Sequence, residues 1–199
     1  MSTEISIRQL EIIEAAGKIL TTSGVGGLTT KNLAKEMQFS ESALYRHYPN
    51  KEEIVIALLE YLATNMDERF SNGLSIIQKP EEKFVSLFRN QFSFFKKNPH
   101  FVVAAFSDGL MEESQRINDT ILKIMGTKIK YLSPIILDGQ KMNVFTKSIL
   151  PDEIVHIVIG AFQLQMYKWR IANFQFDIIK AGEKMIQSIL TLIKSNKFE

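Results

Sequence analysis

TTKNLAKEMQFSESALYRHYPNK, residues Thr29–Lys51, decides how the rest of the chain is read. Thr29 suits the N-cap of a short helix, since its hydroxyl can accept from a first-turn N–H. Leu33, Ala34 and Met37 follow at helical spacing and give that helix one apolar stripe. The stripe stops at Met37-Gln38-Phe39, where the chain must turn. Ser40 offers a second N-cap, ahead of Ala43, Leu44 and His47. Pro49 ends the second helix, because the residue before a proline is pushed out of the α region. Two helices of about two turns each cannot stand alone. They need a third as a platform, and residues 7–22 supply it: Ile12, Ile13, Ala16, Ile19 and Leu20 on one face, Glu11, Glu14 and Lys18 on the other. The Gly24-Val25-Gly26-Gly27 loop is a turn out of that platform, not a phosphate cradle, because it does not join a strand to a helix.

This arrangement is a helix-turn-helix, whose second helix enters the major groove with its N-terminal residues against base edges. Leu44 would anchor that helix. Ser42, Ala43, Arg46 and His47 would face DNA, with Ser42, Ala43, Arg46 and Glu41 the candidates for base edges. Tyr45 and Tyr48 carry hydroxyls that can reach phosphates. Thr29, Thr30, Lys31 and Ser40 add donors at the helix starts. Lys51, at the start of the next helix, would act with the positive end of the helix dipole as a phosphate clamp.

Residues 8–54 resemble the DNA-binding domain of the TetR family of bacterial transcriptional regulators. Ile12-Ile13, Ala15-Ala16, Gly24, Gly27 and Leu28-Thr29-Thr30 carry the first part of the resemblance. Leu33-Ala34, Phe39-Ser40, Leu44-Tyr45-Arg46-His47-Tyr48 and Lys51-Glu52 carry the rest. Gln38 departs from the family, which usually has glycine in the turn. A left-handed Gln38 would carry a strain of roughly 1 kcal/mol that glycine avoids.

The chain has 199 residues, 45% of them hydrophobic, a net charge of +2 and no cysteine. Those values fit a globular chain of one or two domains that uses neither disulfide nor thiol chemistry. No apolar run approaches the ~20 residues that cross a membrane, and the first twelve residues lack the pattern of a signal peptide. The expected location is the cytoplasm. Residues 1–55 hold six cations against seven glutamates. Binding to DNA must therefore rest on where the cations stand, with a modest salt dependence per subunit.

Downstream, helical spacing continues without strand alternation. A long helix from Lys51 to about Phe70 carries Ile54, Leu58, Leu62 and Met66. Pro80 opens another, rich in phenylalanine, that runs to Lys97. Residues 100–107 make a short helix, and 111–132 another. Residues 133–148, with Pro134 and Gly139, are expected to be irregular. Residues 152–174 are apolar nearly all round, which in a chain of this size calls for a partner subunit. With 176–195 they would form a four-helix seam about a two-fold axis. Gly160 and Gly182 allow close approach there, with Ile157, Ala161, Leu164, Ile186 and Ile189 at the contact. The family resemblance implies the same arrangement.

The expected fold is all-α, with about nine helices: a three-helix helix-turn-helix domain over 1–50 and a helical effector-binding and dimerisation domain over 51–199. The resemblance implies a small effector bound between about residues 58 and 170. Phe88, Phe92, His100, Phe106, Gln163 and Tyr167 are the candidate contacts, and such a lining selects an apolar ligand. Glu153 and His156 have the Glu-x-x-His spacing of di-iron bundles, but neither His47 nor His100 repeats it, so no metal is expected. No catalytic constellation and no cofactor fingerprint can be assembled. The reading is a non-enzymatic, homodimeric repressor that leaves a palindromic double-stranded DNA operator when its effector binds. The alternatives are an effector-independent architectural DNA-binding protein, or a helical ligand carrier or enzyme.

Overall fold

The computed structural model describes residues 5–106 and 108–195, and among these it shows ten helices and no strand. In order they are α1 (Ile7–Gly27), α2 (Thr30–Met37), α3 (Glu41–Tyr45), α4 (Lys51–Leu74) and α5 (Pro80–Lys97). Then come α6 (His100–Ala105), α7 (Asp108–Met111), α8 (Gln115–Lys141), α9 (Pro151–Ile171) and α10 (Ile178–Ile193). The expected short helix over 100–107 is α6, and Ser107 lies outside the described residues. The four-residue α7 is the helix that pattern reading did not anticipate.

The chain divides into two compact units, Met1–Ala63 with Asn98–Ile124, and Thr64–Lys97 with Met125–Glu199. In the first, Ser6 caps α1. Its hydroxyl accepts from Gln9 N at 3.2 Å while Gln9 Oε1 accepts from Ser6 N at 3.0 Å. The buried face of α1 is Ile12, Ile13, Ala15, Ala16, Gly17, Ile19 and Leu20. Gly17 has little room for a side chain, because a Cβ there would lie 3.0 Å from the His100 ring. That contact lets α6 pack closely on α1. The helical path breaks at Gly24 (φ 66°, ψ −171°), inside the glycine stretch expected to end the platform helix. Asn50 Oδ1 accepts from Glu53 N at 2.9 Å and so caps α4.

In the second unit α10 packs against α5 and α9. Gly182 lies against Phe92, whose ring would be 2.5 Å from an added Cβ. The phenylalanines form a continuous aromatic core. Phe88 and Phe162 are 5.7 Å apart between ring centres, Phe92 and Phe162 5.1 Å, Phe84 and Phe88 5.0 Å. Of the irregular stretch expected over 133–148, residues 133–141 are instead helix, and 142–148 are irregular as expected. Pro134 lies inside α8. An interior proline costs about 3 kcal/mol. Burial of Leu132, Ile135 and Ile136 on the same helix outweighs it, at roughly 1.5–3 kcal/mol for each side chain.

Ion pairs on α4 and α8 recur every seventh residue. In the first unit Glu53 meets Arg116 at 2.6 Å and Glu60 meets Lys123 at 3.0 Å. In the second, Asp67 meets Lys130 at 2.6 Å. All are solvent-exposed and individually contribute about 0–1 kcal/mol.

Candidate nucleic-acid interface

The local sequence builds the interface from its caps upward. Thr29 Oγ1 accepts from Asn32 N at 3.1 Å and starts α2; Ser40 Oγ accepts from Ala43 N at 3.2 Å and starts α3. Between them Gln38 is left-handed (φ 56°, ψ 39°), and its N–H donates to Ala34 and Lys35 carbonyls. Glutamine therefore carries the strain that glycine would not. Leu33, Ala34 and Leu44 are buried, and α2 packs against both α1 and α3.

The opposite face is open. Thr29, Lys31, Ser40, Glu41, Ser42, Tyr45 and Arg46 are exposed, and Thr30, Ala43, His47 and Lys51 are half-buried. Polar contacts order this face. Glu41 Oε2 accepts from Thr30 Oγ1 at 3.1 Å, Tyr45 OH donates to Thr30 Oγ1 at 3.4 Å, and the Ser40 and Ser42 hydroxyls are 2.9 Å apart. Hydroxyls, one guanidinium and helix-start N–H groups on an exposed two-helix face suit phosphate and base-edge contacts in a groove.

One expected contact needs correction, and a second is already paired within the chain. Tyr48 is only 8% exposed. It sits one turn beyond Leu44 on the same face, and burial pushes its phenol up to about 12. Its ring is part of the core, not an extended phosphate ligand. Lys51 is in the expected place but already engaged: its Nζ lies 2.7 Å from Glu113 Oε2.

The second unit holds a small enclosed apolar cavity. Phe70, Leu87, Phe88, Leu132, Ile159 and Phe162 form its walls, and Gln91 and Lys128 are its polar members. The space among these side chains totals about 270 Å³, of which only about 10 Å³ admits the centre of a water molecule. Of the expected effector contacts, Phe88 lines it. Phe92 is not among its walls; its ring is tilted by 51° against that of Phe162. The others do not line it. His100 and Phe106 belong to the first unit, with the His100 Nε2 buried and without a hydrogen-bond partner. Gln163 and Tyr167 are exposed. Sequence reading missed Lys128 and Gln91, because a lone lysine or glutamine on a helix ordinarily faces water.

On α9 the inner face is Ile154, Val155, Val158, Phe162, Met166 and Trp169. The outer face exposes Ile157 (53%), Leu164 (60%) and Ile171 (64%), at seven-residue spacing. Gly160 is exposed on that face with open space at its Cβ position, and Ala161 is half-buried beside it. The expectation for α10 is corrected. Gly182, Ile186 (1%) and Ile189 (5%) are buried within the chain and cannot meet a partner.

The model of the bacterial regulatory proteins of the tetR family matches residues 12–58, and that of the YsiA-like protein C-terminal region matches 61–193. The chain belongs to the TetR family. Among similar proteins is the nucleoid occlusion factor SlmA of Vibrio campbellii, 30% identical over 57% of this chain and 59% of that protein's length. SlmA of Aliivibrio fischeri is 28% identical over 78% of this chain and 82% of that protein. The fold matches the fatty acid degradation regulator FadR of Bacillus halodurans, with a TM-score of 0.86 at 15% identity, over 94% of this chain and 97% of that one. It also matches FadR of Bacillus subtilis in complex with stearoyl-CoA, at 0.82 and 16%, over 92% and 98%. At such identities the likeness is one of fold. Among the described residues no helix is long and apolar enough to cross a membrane.

Proposed function

We propose that this TetR-family chain is a cytoplasmic, homodimeric transcriptional repressor without catalytic activity. Residues 1–50 read DNA, and 51–199 hold the effector and the dimer contact. The observation that carries the reading is the open α2–α3 face, where exposed Ser42, Tyr45 and Arg46 surround a buried Leu44. Ser42, Ala43, Arg46, His47 and Glu41 meet base edges, while Thr29, Thr30, Lys31, Ser40, Tyr45 and Lys51 meet phosphates. A second copy covers Ile157, Leu164 and Ile171, so that two α3 helices address the halves of a palindrome. An apolar effector in the second unit favours a geometry that no longer fits the operator. It shifts that equilibrium only by its differential affinity for the two states. A hundredfold loss of operator affinity needs about 2.7 kcal/mol of such coupling.

The test compares Arg46→Ala and Lys51→Ala in DNA titrations. Arg46→Ala is expected to relax sequence preference, and Lys51→Ala to weaken all sequences alike. Unchanged binding by both variants would overturn the assignment. A second reading, an architectural DNA-binding protein without effector, is favoured by the nucleoid occlusion factors among the relatives and by the near-closed cavity. Ligand titration separates the two.

A further inference from the structure

The α2–α3 face carries a negative charge that phosphate binding does not explain. Glu41, the first residue of α3, is exposed there beside Ser42. A chain of hydroxyls fixes where its carboxylate stands. Tyr45 OH donates to Thr30 Oγ1 at 3.4 Å, and Thr30 Oγ1 directs its own hydrogen to Glu41 Oε2 at 3.1 Å. Tyr45 follows Glu41 by four residues and so lies one turn along the same face of α3. Among the described residues no lysine or arginine lies within ion-pair distance of Glu41, so its charge is not neutralised inside the chain. Residues 1–55 already hold seven glutamates against six cations. A carboxylate on a surface that meets a polyanion lowers affinity unless it finds a donor there.

We propose that Glu41 is a cytosine reader, its carboxylate accepting from the N4 amino group of one cytosine in each half-site of the operator. The proposal deepens the DNA-binding reading above and rests on it. An ionised carboxylate only accepts hydrogen bonds. It therefore repels phosphates and pairs with a base only through a donor. The major-groove edges offer two amino donors, cytosine N4 and adenine N6. Adenine N6 stands between two acceptors, its own N7 and the O4 of the paired thymine, and both repel a carboxylate brought to it. Cytosine N4 has one such neighbour, the O6 of the paired guanine, and a C–H on its other side. Guanine and thymine present acceptors at the positions a carboxylate would approach. The donor set of the groove thus favours cytosine over the other three bases. Thr30 engages Oε2, which leaves Oε1 to accept from the base. Because the hydroxyl chain already orients the carboxylate, less rotamer freedom is lost on binding.

The experiment uses the full chain as wild type, Glu41→Ala, Glu41→Gln and Arg46→Ala. Duplexes bound by the wild type are recovered from a random pool, and anisotropy titrations then replace each base pair of the recovered site in turn. The wild type is expected to favour cytosine about tenfold over the other bases at one position in each half-site. Glu41→Ala is expected to shrink that preference to about twofold or less. Glu41→Gln is expected to turn the same position towards adenine, whose N6 and N7 a side-chain amide meets together. Positions whose preference is lost in Arg46→Ala are expected to read in both Glu41 variants as they do in the wild type, which a general loss of structure would not allow. Thermal melts check that each variant folds. If Glu41→Ala melts early, Glu41→Gln, which keeps an acceptor for Thr30, still decides. A base preference that survives both Glu41 substitutions at every position, or a Glu41-dependent position that favours a base other than cytosine, overturns the cytosine assignment but leaves the DNA-binding reading standing. Recovery of no common sequence by the wild type overturns both.

Discussion

Lys51 Nζ and Glu113 Oε2 are 2.7 Å apart, so the cation proposed to clamp a phosphate is already held by a carboxylate. Around it Glu52 accepts from Ser114 Oγ at 2.6 Å, and Arg116 joins Glu52 and Glu53. DNA must compete with Glu113 for this ammonium. Glu113→Gln should therefore tighten DNA binding about two- to fivefold at low salt. It should also steepen the dependence of log K on log salt by about 0.9 per subunit, the value of one released counterion. Anisotropy titrations at several salt concentrations check both, and an unchanged slope would mean that Lys51 does not reach the backbone.

Gln38 occupies a left-handed position at φ 56°. Gln38→Gly removes that strain and is expected to raise unfolding stability by about 1 kcal/mol, less the small entropic cost of glycine in the unfolded chain. Urea denaturation measures it. A loss of stability would show that the Gln38 side chain contributes more than its backbone costs.

Leu164 and Ile186 separate the two faces of the last helices. Leu164 is 60% exposed and Ile186 1% exposed. Leu164→Glu should yield a folded monomer in sedimentation equilibrium, because the carboxylate stays in water while blocking the apolar contact between copies. Ile186→Glu should instead unfold the second unit, since a buried unpaired carboxylate costs several kcal/mol. A Leu164→Glu protein that remains dimeric would place the seam elsewhere.

Lys128 links stability to pH. Its folded-state pKa of about 8 lies below the ordinary 10.5, so between those values the unfolded chain holds more protons and stability rises with pH. The burial penalty is fully present below about pH 8 and fades towards pH 10.5. It amounts to at most about 3 kcal/mol. The stability of the wild type relative to Lys128→Met should therefore rise between about pH 8 and pH 10.5 and be level below pH 8. Tyr48, pushed up to about 12, titrates in both proteins and cancels from the difference. A gap independent of pH would contradict the burial of the ammonium.

The helix-turn-helix was legible because its signals are local. Thr29 and Ser40 cap helices whose apolar positions lie within one or two turns, and the structure keeps both caps. Tyr48 was misjudged although a signal existed: it follows Leu44 by four residues and so shares its buried face. The stripe of Gly182, Ile186 and Ile189 marked a covered helix face but not its cover. Only the fold shows that α5 lies over it, with Phe92 against Gly182. Glu113 stands 62 residues from Lys51, and no pattern along the chain pairs them. The cavity was the least legible feature. Its apolar walls read as ordinary core, and its two polar members as ordinary surface.

Selection of bound sequences from a random double-stranded DNA pool, with the mass of the complex measured on the recovered site, tests the central claim most directly. The account predicts an inverted repeat with half-sites about one helical turn apart, bound by an even number of chains. Recovery of no common sequence, or of a single asymmetric site filled by one chain, would contradict it.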